Sequence, residues 1–454
     1  MKKTLFFACF AISKAHAFCG FYVAKADASL FNRASQVAVV RNEDRTVISM
    51  LNDYQGDLRE FAMVVPVPQV LDKGQVHVGD KALFEHLDAF SAPRLVEYFD
   101  ENPCEPRVMM DMAVRSKAQA FGTAERAPAS DKALGVKVEA KFTVGEYDIV
   151  ILSAEQSDGL ETWLVRSGYK IPKGASEALK PYIKQDMKFF VAKVNLKAQE
   201  KTGSKYLRPI QFAFESKKFM LPIRLGMINA NGPQDLIVYL LTKDGRVETT
   251  NYRTVKLPEG AEIPGYVKGE FADFYRSMFD EQLKRENQRA VFTEYFWDMS
   301  WCDPCAADPL SRSELRNLGV FWLEGDDPAP VKIQRGRRAA PQIWNPVPPA
   351  PPVQVKLTRL HVRYSKDTFP EDLMFQETQD QQNFQARFVL RHAWKGSPNA
   401  CAAAPEYFRA LKKRQENEAQ TLANLTGWEI GAIRKKMDIQ APPKDAKWWN
   451  HLWN

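Results

Sequence analysis

Asp244-Gly245, set between "DLIVYLL" and "RVETTNYRTV", constrains the fold more than any other dipeptide in the chain. Asp and Gly tolerate the positive φ of a tight primed turn, so the pair predicts a hairpin between the two flanking runs. Gln36 to Arg41, a turn at Asn42-Glu43-Asp44, and Thr46 to Tyr54 read as a second hairpin. "EFAMVVPVP" follows as a strand that Pro66 and Pro68 end or confine to an edge, since proline cannot donate to a ladder. Lys137 to Leu152, "KFFVAKVNL", Val355 to Tyr364 and Phe384 to Trp394 are further strands, the last two flanking a turn at Pro370. "TVISMLNDY-QGDLR-EFAMVVPVP" and "MLPIRLGMIN-ANGPQ-DLIVYLLTK" share a strand–loop–strand form, which raises an internal duplication as one reading and a generic meander as the other.

Helical spacing marks Leu83 to Ala89, "SDGLETWLVRSGY", "ASEALKPYIKQDM", Phe271 to Arg289, Ser313 to Leu318 and the residues from Pro405 onward. The predicted class is therefore α+β and β-rich. Antiparallel sheets form sandwich-like domains, with peripheral helices and a helical C-terminal segment.

The first residues have the form of a secretory signal. Lys2 and Lys3 open it, Leu5 to Ile12 are mostly apolar, and Ala15-His16-Ala17 is a small-x-small cleavage site. Lipidation at Cys19 is the alternative, but Phe18 is too large for the residue that precedes a lipidated cysteine. The expectation is cleavage after Ala17 and a mature protein in the periplasm or at the cell surface. No later apolar run reaches the roughly 18 residues of a spanning helix. Loss of Lys2, Lys3 and Lys14 lowers the formal charge from +7 to +4, which selects no particular partner, and an exported chain meets no nucleic acid.

Beyond the signal peptide (1–17), the sequence divides into an N-terminal β-rich domain (18–130) and a second α+β domain (131–325). A Pro- and Arg-rich linker or loop (326–353), a β-hairpin region (354–400) and a helical segment (401–454) complete it. Arg335, Arg337 and Arg338 offer an anionic surface a contact, with solvated charge as the plainer reading. Trp448, Trp449 and Trp453 either seat in a membrane interface or fold back onto the protein. "EAQTLANLTGWEIGAIRKKM" has the rhythm of a helix-turn-helix, read here as two packed helices.

Trp301-Cys302-Asp303-Pro304-Cys305 resembles a thioredoxin dithiol. Glu294 stands eight residues before the first cysteine rather than about six, and Asp308-Pro309 falls where a long helix should run. The reading is a structural Cys302–Cys305 disulfide. Thiol–disulfide exchange is an alternative, and a lone CxxC is a weak zinc signal. With Cys9 removed, five cysteines remain, and Cys19, Cys104 and Cys401 are candidates for a further disulfide whose connectivity stays open. His77, His86, His361, His392 and His451 lack metal-ligand spacing, although His361 and His392, each on a strand near Arg, read as neighbours. No catalytic motif, metal site or cofactor is predicted.

Several phrases match a known family: "FCGFYVAKADASLFNRASQV", "EFAMVVPVP", "APRLVEYFD", "FMLPIRLGMINANGPQDL", "WCDPCAADPLS" and "TRLHVRYSKDTFPEDLMFQET". Through them the chain resembles an uncharacterised exported bacterial family, domain of unknown function 2330. The resemblance brings no activity. It implies that the CDPC stretch belongs to this fold and not to a thioredoxin domain. The expected function is a non-catalytic exported protein that works by binding, with an envelope enzyme, redox or hydrolytic, as the alternative.

Overall fold

The computed structural model describes residues 21–24, 31–32, 35–51, 54–55, 61–105, 136–166, 174–195, 197–199, 207–229, 232–301, 307–323 and 353–439. Cys19, Cys302, Cys305, Arg335, Arg337, Arg338, His451 and the three terminal tryptophans lie outside them. The fold is α+β and β-rich, and the chain divides into two compact units, each built from distant segments. One comprises residues 1–92, 135–257 and 288–385, the other 93–134, 258–287 and 386–454.

The larger unit holds two stacked sheets. Five strands run Phe21–Ala24, Phe61–Val67, Lys188–Val194, Tyr147–Ala154, Val136–Val144, every pair antiparallel. The second sheet runs Arg253–Lys256, Ala290–Asp298, Lys356–Tyr364, Gln234–Thr242, Ser35–Asn42, Arg45–Leu51, Ile210–Glu215, Val76–Val78, and is mainly antiparallel. Side chains alternate across a strand, so each strand presents two faces. Val37, Val39, Met63, Val65, Phe190 and Ala192 point into the core between the sheets. Their neighbours Val64, Phe189 and Val191 point the other way, beneath the helices Ser157–Arg166 and Ala175–Ile183. On the outer face of the second sheet, Ala38, Val40 and Leu357 pack under the helix Lys81–Ser91. The result is four layers: helices, sheet, sheet, helix. Burial on both faces explains why "VAVV" and "MVVPV" are continuously apolar.

Pro66 sits on a strand with partners on both sides, yet pairing with Phe21–Ala24 stops at Val64.

The hairpin expected at Asp244-Gly245 does not form. Val247–Thr249 leaves the sheet and pairs with Leu373–Glu377. The backbone N–H groups of Asp244 and Gly245 both donate to Glu377 Oε1 at 2.8 Å. A Cβ on Gly245 would stand 1.8 Å from the Thr378 carbonyl oxygen, so glycine serves a close backbone approach here. The suggested duplication also fails locally. In the second copy the first strand shrinks to Met220–Leu221, followed by the 3-10 turn Arg224–Asn229.

The smaller unit has a three-stranded parallel sheet in the order Ala261–Glu262, Arg387–His392, Arg94–Phe99. Lys356–Tyr364 and Arg387–His392 thus belong to different sheets and do not pair. The helix Phe271–Arg285 lays Phe274 edge-on against Phe388 of the sheet, at 4.8 Å between ring centres. The helix Ala404–Thr426 ends at Gly427, whose φ of 70° reverses the chain into the helix Ile430–Lys436. A disulfide joins Cys104 to Cys401.

Candidate functional site

Two arrangements in the larger unit compete for the role of functional site. The first is a cluster of charges on the outer face of the second sheet. Glu294, Arg359 and Tyr239 all lie in strands whose neighbours are apolar, and Glu294 is fully buried. Arg359 Nε donates to Glu294 Oε2 at 2.5 Å, and His361 Nδ1 lies 2.9 Å from Glu294 Oε1. His361 Nε2 faces Asp235 Oδ1 at 3.2 Å, and Arg363 Nε donates to the same oxygen at 2.8 Å. Arg359 Nη1 donates to Asp88 Oδ1 at 2.6 Å. Asp88 reaches it because Leu83, Phe84, Leu87 and Phe90 form the buried stripe of the helix and Asp88 stands beside that stripe.

Burial works against the charge on His361, but the carboxylates of Glu294 and Asp235 hold its pKa above the ordinary value. Burial likewise opposes ionisation of Asp235, yet the hydrogen bond and charge of His361, joined by Arg363, keep it well below the usual carboxylate range. Each group answers another. Both Glu294 oxygens and both His361 nitrogens are engaged, so the cluster reads as an ion-paired tie between helix and sheet.

The second arrangement is a cleft of about 260 Å³ at one end of the core between the sheets. Met50, Phe212 and Phe214 from one sheet and Val65 from the other line it, with Met187 and Leu221. Met50, Val65, Phe212 and Phe214 come from alternating inward positions of three strands. At the mouth stand Gln185, Ser216, Lys217 and Lys218. Gln185 Oε1 accepts from Lys218 Nζ at 2.6 Å, and Ser216 Oγ accepts from the backbone N–H of Lys218 at 3.1 Å. One wall is fixed by the buried Asp372. Its Oδ1 accepts from Tyr182 Oη at 2.6 Å and from the backbone N–H of Ile223 at 2.9 Å, immediately after the lining residue Pro222. Burial raises the pKa of Asp372.

In the smaller unit, Asp100 accepts from Arg414 Nη2 at 2.7 Å and from Tyr407 Oη at 2.6 Å. Glu418, one helical turn beyond Arg414, is buried. Burial, reinforced by the charges of Glu262 and Asp100 and opposed by Arg414, pushes its pKa up to about 7.

The histidines expected to be neighbours are apart in topology. His361 belongs to the large sheet, whereas His392 sits on the small parallel sheet and pairs with Glu97 at 2.7 Å. His86 lies 2.8 Å from Glu314, and His77 is exposed. Among the described residues no group of three or more His, Cys, Asp or Glu is placed to hold a metal ion. No described helix is long and apolar enough to cross a membrane. Cys104 and Cys401, whose pairing was open in the sequence, are bonded to each other, while Cys302 and Cys305 fall outside the described residues.

Sequence reasoning named Glu294 and His361 but missed their partners. The signal was present: Arg359, His361 and Arg363 alternate along one strand face, and Glu294 is a lone acid in "VFTEYFW" that needs a cation. The cleft left no such trace, because two sheets assemble it.

A family model described as an uncharacterized protein conserved in bacteria, domain of unknown function 2330, matches residues 13–376. No curated protein and no solved structure matches the chain.

Proposed function

The chain belongs to the bacterial family called domain of unknown function 2330, and on that footing we propose that it is an exported, non-catalytic protein that binds an apolar ligand in the cleft between its two sheets. The observation that carries this reading is the contrast between the two arrangements in the larger unit. An enzyme needs titratable groups gathered at a cavity, with room for substrate. Here the buried acid, base and cation are consumed by one another. The cleft instead brings together Met, Phe, Val, Ile, Leu and Pro side chains, with no Asp, Glu or His among its lining residues. Apolar walls with a few polar groups at the rim are the usual form of a small-ligand site.

Export is supported by the basic-apolar-AHA start of the sequence and by the Cys104–Cys401 bond, a pairing at home in oxidising compartments. The test is expression of the full chain in a bacterium, followed by fractionation and mass spectrometry. A periplasmic or extracellular pool beginning at Phe18, with Cys104 and Cys401 linked, is the expected result. A cytoplasmic pool with an intact N-terminus would overturn the export half. For the binding half, a fluorescent apolar probe should be taken up by the wild type and lose most of its affinity in Phe214→Glu.

A further inference from the structure

We propose that the cleft takes a free single-chain anionic amphiphile, its hydrocarbon tail between the sheets and its carboxylate or phosphate at Lys217 and Lys218. This rests on the reading of the cleft as a binding site and adds the charge and length of the ligand.

Charge is set by the lining. Of the residues that form the cleft, two are lysines and none is acidic. Both lysines are exposed and lie side by side in the chain just past the strand Ile210–Glu215. Lys218 is held at the mouth by Gln185, which itself is anchored by donating from Nε2 to the Pro181 carbonyl at 3.0 Å. An ammonium tied to a neutral amide keeps its full charge for an incoming anion. A cationic head would meet two like charges, and a neutral head would leave them unused.

Length is set by volume. A cavity of roughly 150 Å³ accommodates the six carbons of benzene. The cleft, at about 260 Å³, scales to a tail of about ten carbons. Phe212 and Phe214 are stacked with ring centres 6.2 Å apart, giving the tail a flat wall. The walls are otherwise Met, Val, Ile and Leu, so affinity should come from burial of methylenes, each worth about fourfold. The head should add less, since an exposed ion pair is worth at most about fivefold, and two together roughly tenfold.

The experiment is calorimetric titration of the purified, oxidised full chain with decanoate, octanoate and decyltrimethylammonium, each below its micelle concentration. A parallel flotation assay uses vesicles of phosphatidylglycerol. Decanoate should bind, with octanoate weaker by roughly sixteenfold over two methylenes and decyltrimethylammonium weaker by about tenfold. Lys217→Ala/Lys218→Ala, two exposed positions that leave the fold intact, should erase the preference for the anion while keeping the chain-length dependence. Equal binding of both heads would overturn the charge assignment and leave the apolar site standing. Failure of every amphiphile, alongside failure of the neutral fluorescent probe, would take down the binding reading itself. Lysine-dependent flotation without decanoate binding would overturn the free ligand in favour of a membrane surface.

Discussion

Arg359 and Glu294 are joined by a 2.5 Å hydrogen bond between adjacent strands, in a place where both side chains are almost fully removed from water. Arg359 also reaches Asp88, and Glu294 also faces His361, but each is the other's closest buried partner. Removing one partner of a buried pair typically costs about 3–5 kcal/mol, whereas replacing both by apolar groups can be neutral. Glu294→Leu should therefore lower unfolding stability by that amount in urea titrations, and adding Arg359→Met should recover most of it. A double variant as unstable as the single one would show that the pair does not act as a unit.

Stability of the smaller unit should fall as pH rises. Glu418 has a folded pKa of about 7 against an ordinary value of 4.5. Between those values the folded state holds a proton that the unfolded state has released, so unfolding becomes easier with increasing pH. The contribution is complete below pH 4.5 and gone above about 7, and amounts to roughly 3 kcal/mol. Glu418→Gln should flatten the dependence in thermal melts between those limits and stabilise the protein at pH 8. An unchanged slope would place the proton elsewhere.

The Cys104–Cys401 bond closes a loop spanning 297 residues. A long loop gives a disulfide its largest effect on the unfolded chain, and roughly 3–5 kcal/mol is expected here. Cys104→Ser/Cys401→Ser should melt earlier than the oxidised wild type and match the wild type treated with reductant. A difference between those two samples would reveal another bond that supports the fold.

Two glycines should respond differently to alanine. At Gly245 the new Cβ would collide with the Thr378 carbonyl, and a loss above about 2 kcal/mol is expected from overpacking. At Gly427, where φ is +70° and the nearest atom is the end of the Glu281 side chain at 3.3 Å, only the left-handed backbone is strained. That cost is about 1–2 kcal/mol. Urea midpoints of the two variants give the comparison.

Cys302 and Cys305 follow the strand Ala290–Asp298, whose Trp297 packs edge-on against Trp301 at 5.1 Å. If they form a structural clip, their reduction potential should lie below about −300 mV. A value above roughly −230 mV, in the range of catalytic dithiols, would make thiol exchange the activity to test.

Local pairing was legible in the sequence. Ser35–Asn42 and Arg45–Leu51 form the antiparallel hairpin that their patterning and the intervening polar turn predict. The helix Lys81–Ser91 is similarly announced over Leu83 to Ala89 by its apolar spacing, and the structure adds its cap, Asp80, whose carboxylate accepts from Ala82 N–H. Asp244-Gly245 misled because glycine answers two demands, a positive φ and an absent Cβ, and sequence does not say which applies. Arg94–Phe99 and Arg387–His392 show the other limit. The sequence reading has a strand over Phe384 to Trp394 but none over Arg94–Phe99, and parallel pairing between segments that far apart leaves no periodic mark on either. The cleft was invisible for the same reason, since Val65 and Phe212 meet only after the sheets stack.

The disulfide between Cys104 and Cys401 also fixes an order of events during synthesis. Arg94–Phe99 must wait for Arg387–His392 before its sheet can exist. At about 5–20 residues per second, the 297-residue interval corresponds to roughly 15–60 seconds. Throughout that interval Cys104 has no native partner, while Cys302 and Cys305 are made before Cys401. If the chain is exported as proposed, an oxidant that reaches Cys104 during that interval finds only Cys19, Cys302 and Cys305 as partners for it. The Cys104–Cys401 bond can close only after residue 401 has been made, and any bond formed earlier at Cys104 must be exchanged for it.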